Sequence, residues 1–161
     1  MANKRILGID PGYDRCGFAL LEKDARGKES LLFSECFLTK KSLPFSERLR
    51  LVGERFESLI REHAPHMAAM EKFYFENNQK SAMAVSEVRG ALLYIAAGHS
   101  LPFYEYTPLQ VKAAVTGYGR SDKKQVAGMV GKLLRLSSSP RLDDEYDAIA
   151  LALTASASVK A

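Results

Sequence analysis

The sequence has no apolar run approaching the roughly 18 residues needed to span a membrane. Its first residues, Met1-Ala2-Asn3-Lys4-Arg5, lead straight into an apolar strand, with no apolar signal core and no cleavage site, so a cytoplasmic protein is expected. Cysteine is scarce: Cys16 and Cys36 are the only two, and they lack CxxC spacing, which argues against a structural zinc site. Both fall on strands of one expected meander, and the expectation is two small buried thiols rather than a disulfide. Repeats, linkers and low-complexity stretches are also missing, so the expectation is a single domain over residues 1–161.

What is present is an ordinary globular composition, 47% apolar, with a mildly basic net charge of +4. A small basic protein is compatible with a nucleic-acid ligand. If four of its carboxylates held two divalent cations, the loaded chain would carry about +8, a platform for a polyphosphate.

The first strand organises the rest. Ile6, Leu7 and Ile9, broken only by Gly8, suit a strand buried on both faces, and Pro11-Gly12 turns the chain. Asp10 therefore emerges where a central strand leaves the core, a costly place for a carboxylate unless a cation meets it. A strand-ending Asp can also simply cap a turn, so the remaining acids decide.

Apolar periodicity predicts strands over residues 4–9, 15–22 and 31–38, the first two hairpin-linked and the third following a polar turn at 24–29. Ser42, with Pro44 two residues on, reads as the start of a helix over 45–62 that Pro65 ends. Residues 66–70 form a short apolar run ending in Glu71, as the first strand ends in Asp10. A second long helix over about 80–98 contains Gly90, which predicts close backbone packing there. A strand over 101–106, a short helix started by Thr107-Pro108, a loop at 116–120, a helix capped by Ser121 and a last helix over about 143–155 complete the chain. The order β-β-β-α-β-α-β-α-α-α predicts an α/β fold: a five-stranded mixed sheet, three antiparallel strands and then two parallel ones, with helices on both faces.

If the first and fourth strands run side by side in parallel, Asp10 and Glu71 emerge at the same edge. In the last helix Asp144 and Asp147 share a face, but so do Asp143 and Asp147, and spacing alone does not choose between them. Acids in a first helical turn are favourable in any helix, so this pair means little by itself. Joined to two strand-end acids, the set predicts an oxygen-only site for Mg²⁺ or Mn²⁺. Two such ions can activate water and stabilise the leaving oxygen of a phosphodiester.

These residues carry a resemblance. Gly8-Ile9-Asp10-Pro11-Gly12, Met70-Glu71 and Asp144-x-x-Asp147-Ala148 resemble the RuvC family of bacterial Holliday junction resolvases, in the ribonuclease H-like superfamily. Ser81-Ala82, Arg89-Gly90, Glu105-Tyr106, Gln110-Val111-Lys112, the stretch 119–123 and Gln125-Val126 follow in the expected order, so the resemblance spans nearly the whole chain. It implies a ribonuclease H-like fold and resolves the helix pair in favour of Asp144 with Asp147. It further implies that Asp10, Glu71, Asp144 and Asp147 hold two Mg²⁺ ions, and that cleavage leaves a 5′ phosphate and a 3′ hydroxyl. It also implies a homodimer that nicks a four-way DNA junction symmetrically beside the RuvA-RuvB branch-migration complex. Lys112 and Lys123 match lysines near the scissile phosphate. Tyr74 matches an aromatic that stacks on an unpaired base, and Lys80 and Arg89 are candidate contacts to the DNA backbone. Gly12-Tyr13-Asp14-Arg15 places an extra acid and base beside the site for which the pattern offers no role.

Two other classes carry part of the pattern. A non-catalytic ribonuclease H-like module would keep the fold and lose acids, yet all four are present. An actin-like ATPase or sugar kinase shares Gly-Ile-Asp-x-Gly but needs two such domains and a second phosphate loop.

Overall fold

The computed structural model describes residues 3–73 and 79–158. Five strands, β1 (Lys4–Asp10), β2 (Arg15–Lys23), β3 (Glu29–Leu38), β4 (Met67–Glu71) and β5 (Phe103–Tyr106), form one sheet in the order β3-β2-β1-β4-β5. The first three strands pair antiparallel and the last two join in parallel, β4 on β1 and β5 on β4. Five helices are described: α1 (Phe45–His63), α2 (Gln79–Gly98), α3 (Pro108–Thr116), α4 (Lys123–Leu133) and α5 (Asp143–Ser158).

Alternation along β1 explains why both faces are covered. Leu7 and Ile9 point into a core with Phe18, Val52, Phe56, Leu59, Val88 and Leu92, beneath α1 and α2. Ile6 points the other way, into a core with Leu21, Met67, Val111, Val130 and the buried face of α5. A strand buried on both sides needs apolar residues at successive positions, which is the pattern read in the sequence.

Helix α5 lies directly on the sheet because two glycines leave it room. A Cβ on Gly8 would stand 2.0 Å from the Ala148 carbonyl oxygen, and one on Gly17 would stand 2.0 Å from the Asp144 carbonyl oxygen. Ala148, Ala150 and Ala152 keep the facing helix surface equally thin. The close contact expected at Gly90 is not there: Gly90 is exposed, with no atom within 4 Å of an added Cβ. The approach of α1 to α2 runs instead over Gly53, where a Cβ would meet Ile95 Cδ1 at 3.0 Å.

Two helix starts also differ from expectation. Pro44, not Ser42, precedes α1 and offers no side-chain cap. Asp122, not Ser121, caps α4: its carboxylate accepts from Gln125 N–H at 2.8 Å, while Asp122 N–H donates to the Gln125 side chain at 2.9 Å. Ser121 is buried and donates to the Tyr118 carbonyl at 2.7 Å, which pins the preceding loop. Thr107 caps α3 as expected, in a reciprocal box with Gln110. The two cysteines are free. Cys16 lies in the core under α1, whereas Cys36 pairs with Gly17 and faces α5, so the sheet separates them.

Candidate active site

The parallel register of β1 with β4 sets Ile9 opposite Met70. Asp10 and Glu71, one residue further on, therefore leave the sheet at the same end. Helix α5 starts over that end. Its first turn is fixed twice: the Gly17 contact seats Asp144, and Glu145 accepts from the Ser34 hydroxyl at 3.0 Å and from Leu142 N–H at 3.3 Å.

Four carboxylates act on one another here. Asp10 is pushed up from an ordinary 3.8 to about 8, first by burial, then by the charges of Asp147 and Asp144, by a hydrogen bond with Asp144, and by Glu71. Burial and Asp147 also raise Glu71, against the pull of Lys112, Lys123 and Arg89. Asp147 is raised chiefly by burial, with Lys123 opposing. The two candidates left by helix spacing stand differently in space. Asp144 faces Asp10, while Asp143 is exposed and lies 3.6 Å from Lys123 Nζ.

Lysines complete the wall. Lys112 from α3 and Lys123 from α4 line a groove of about 320 Å³ with Glu71 and Asp147. Lys123 Nζ is 3.2 Å from Asp147 Oδ2. Burial works to lower the Lys123 pKa, but Asp147, Asp143 and Asp10 outweigh it and hold the ammonium charged.

The remaining expected site residues fall elsewhere. Tyr74 lies outside the described residues. Lys80 is exposed in the first turn of α2. Arg89 is not a surface cation: it is buried, donates to the Glu71 carbonyl, pairs with the Glu105 carboxylate, and lies 5.9 Å from the Phe73 ring. Its guanidinium ties the end of β4 to β5, so it positions Glu71 from behind.

Two residues beside the acids have no place in the sequence reading. Arg15 Nη2 lies 3.0 Å from Asp144 Oδ2. The Cys36 thiol donates to the same oxygen at 3.7 Å, and burial followed by the Asp144 charge pushes that thiol up to about 11. Only the presence of a base beside Asp10 hinted at Arg15.

The sheet order, the two layers of helices and the acidic corner at the ends of β1 and β4 define a ribonuclease H-like protein. The yeast mitochondrial Holliday junction resolvase Ydc2 shares this fold, with a TM-score of 0.71 at 16% identity over 95% of this chain and 78% of that one. Thermus thermophilus RuvC, solved in complex with a Holliday junction substrate, superposes with a TM-score of 0.86 at 34% identity, covering 94% of this chain and 92% of that one. The crossover junction endodeoxyribonuclease RuvC of Thermosipho melanesiensis is 45% identical over 148 residues, 92% of this chain and 94% of its own length. A family model, "Crossover junction endodeoxyribonuclease RuvC", matches residues 6–155. The chain belongs to the RuvC family of crossover junction endodeoxyribonucleases.

Membership in this nuclease family carries a dependence on divalent metal. The donor set fits a hard cation: every candidate ligand is a carboxylate oxygen, and the carboxylates are crowded enough to hold a proton on Asp10 near neutral pH. Among the described residues no three acidic, histidine or cysteine side chains converge closely enough to hold an ion as they stand. Two of the four acids are instead turned to cations, Asp144 to Arg15 and Asp147 to Lys123.

This crowding predicts a pH dependence. Between about pH 4 and 8 the folded protein keeps on Asp10 a proton that the unfolded chain has released, so metal-free stability falls as pH rises through that window. A melting series in EDTA should decline by several degrees from about pH 5 to 8 and flatten when Mg²⁺ is added. A flat series in EDTA would mean that the four carboxylates do not interact as described.

Proposed function

We propose that the chain is a structure-selective DNA endonuclease that resolves four-way (Holliday) junctions by paired symmetric nicks, in homologous recombination and DNA repair. The observation that carries this reading is the meeting of Asp10, Glu71, Asp144 and Asp147 at one sheet end beside Lys112 and Lys123. In this reading the four carboxylates hold two Mg²⁺ ions per subunit, for which Mn²⁺ can substitute. Bound there, the ions would lower the pKa of a water and neutralise charge on the phosphate.

The chain's own groups do the rest. The strand ends fix the backbones of Asp10 and Glu71, and α5 fixes those of Asp144 and Asp147, so only side-chain rotation is needed to bring the four carboxylates to the ions. Lys112 and Lys123 stand within the groove to hold non-bridging phosphate oxygens as charge builds on them. Water adds to phosphorus, the bond to the 3′ oxygen breaks, and that oxygen takes up a proton. The products are a 5′ phosphate and a 3′ hydroxyl. Lys80, exposed at the start of α2, is assigned to the DNA backbone, and Tyr74 to stacking on an unpaired base. Residues 1–161 act as one nuclease domain, two copies pair to nick opposing strands, and RuvA-RuvB branch migration supplies the junction. No described helix is long and apolar enough to cross a membrane, in keeping with action on DNA.

The deciding experiment is a Mg²⁺-dependent cleavage panel comparing four-way junctions, flaps, RNA–DNA hybrids and linear duplex. Paired symmetric nicks confined to the junction are expected. Preferential cutting of hybrids or flaps would reassign the substrate within the ribonuclease H-like enzymes. Junction binding should also weaken steeply as salt rises, because phosphate contacts release counterions, and a flat salt response would argue against nucleic acid as the ligand.

A further inference from the structure

We infer that Arg15 is a displaceable counter-ion for Asp144: it occupies that carboxylate while no divalent cation is bound and gives it up when one binds. This inference rests on the metal reading above and assigns a role to a residue outside the carboxylate–lysine set.

The argument begins with charge. Four acids share one sheet end, and Asp144 is the most enclosed of the ion-paired carboxylates there, with only 17% of its side chain exposed. It cannot retreat, because its own backbone is pressed against Gly17. Such a carboxylate needs a cation at all times, including before a metal arrives. Arg15 supplies it at 3.0 Å.

The delivery of Arg15 is built into the fold. It opens β2 directly after a tight turn that is pinned from behind. Asp14 pairs with Arg48 of α1, Thr39 N–H donates to the Asp14 carbonyl at 3.1 Å, and the Arg48 guanidinium lies 5.0 Å from the Tyr13 ring. The Arg15 backbone therefore has one place to be, while its side chain, 50% exposed, has solvent to swing into. Fixed root and free head are what a displaceable cation requires.

Lys123 differs in this respect. It touches both Asp147, at 3.2 Å, and Asp143, at 3.6 Å, so it keeps a partner outside the cluster when Asp147 turns to a metal. Among the described residues Arg15 is paired with no second carboxylate, so a metal that takes Asp144 Oδ2 competes with it directly.

The test is Mn²⁺ binding to the metal-free full chain, read from the loss of the free-ion paramagnetic signal and independent of cleavage. Arg15→Gln and Arg15→Met should bind Mn²⁺ roughly three- to fivefold more tightly than the wild type, the size expected for a half-exposed ion pair removed as competitor. Arg15→Lys, which keeps the charge, should stay within about twofold of the wild type. In EDTA the two neutral variants should melt below the wild type, and the gap should close as Mn²⁺ is added. A merely structural Arg15 would lower melting equally with and without metal and leave the affinity unchanged, which would overturn the inference. Weaker Mn²⁺ binding by the neutral variants would also overturn it. Absence of Mn²⁺ uptake by the wild type would overturn the metal reading itself, and this inference with it.

Discussion

Asp10→Asn is expected to lower Mg²⁺-dependent junction cleavage by about a thousandfold or more while junction binding stays near the wild-type level. The substitution keeps the shape of the side chain and removes one charge from the centre of the carboxylate cluster. Asp10 carries the strongest reciprocal influence of the four: Asp147, Asp144 and Glu71 all act on it. In the proposed site an amide at this position cannot give up a proton to become an anionic ligand when a cation binds, and the lysines cannot replace that ligand. The same change relieves repulsion in the metal-free fold, so Asp10→Asn should melt higher than the wild type in EDTA at about pH 8. Activity and stability thus move in opposite directions, a signature that misfolding cannot produce. Cleavage within tenfold of the wild type would remove Asp10 from the chemistry.

The second large effect concerns backbone contact rather than charge. Gly8→Ala and Gly17→Ala should each destabilise the protein by about 3 kcal/mol or more, roughly 6–12 °C in melting temperature, because the new methyl meets main chain and not a flexible side chain. Gly17→Ala carries an additional consequence, since the atom it strikes belongs to Asp144. Even where that variant folds, α5 must lift at its first turn, and Mn²⁺ affinity should fall with it. Gly90→Ala is the matched control. It lies in a helix with open space around it, so it should be neutral or stabilising by up to about 1 kcal/mol. A neutral Gly8→Ala would show that α5 does not rest on β1 as described.

These contacts mark the boundary between what the residues announce and what only packing decides. The strands were legible because β1 and β2 are buried on both faces, and continuous apolar runs broken by Pro-Gly and polar turns leave few other readings. Element order suggested a mixed sheet but left the placement of β4 beside β1 as a condition, and the parallel register of the two strands is what brings Asp10 and Glu71 to one end. Helix starts were less legible. Ser121 and Asp122 are both good caps, and the choice fell to Asp122 because Gln125 returns its hydrogen bond. Asp143 and Asp144 have the same chemistry, so spacing could not choose between them; the family resemblance favoured Asp144, and the seat on Gly17 turns that residue toward Asp10.

Arginine was the least legible residue. Arg89 on a helix face reads as a solvated cation, yet Glu105 and the Glu71 carbonyl draw it inward. Arg48 is likewise buried, holding Asp14 and Thr39. Arg15 finds its partner at the opposite end of the chain. Long-range ion pairs leave no periodic trace in a sequence, because either member alone is indistinguishable from a surface charge.

The seat of α5 on β1 and β2 has a consequence for the time course of synthesis. Two of the four clustered carboxylates sit on strands made early, and two on the last helix to be made. A growing chain whose final helix is still inside the ribosome carries Asp10 and Glu71 without Asp144 and Asp147, and its thin glycine track stands bare. The carboxylate cluster is therefore assembled only when α5 docks on the sheet, so the docking of this helix is the step that brings all four acids together.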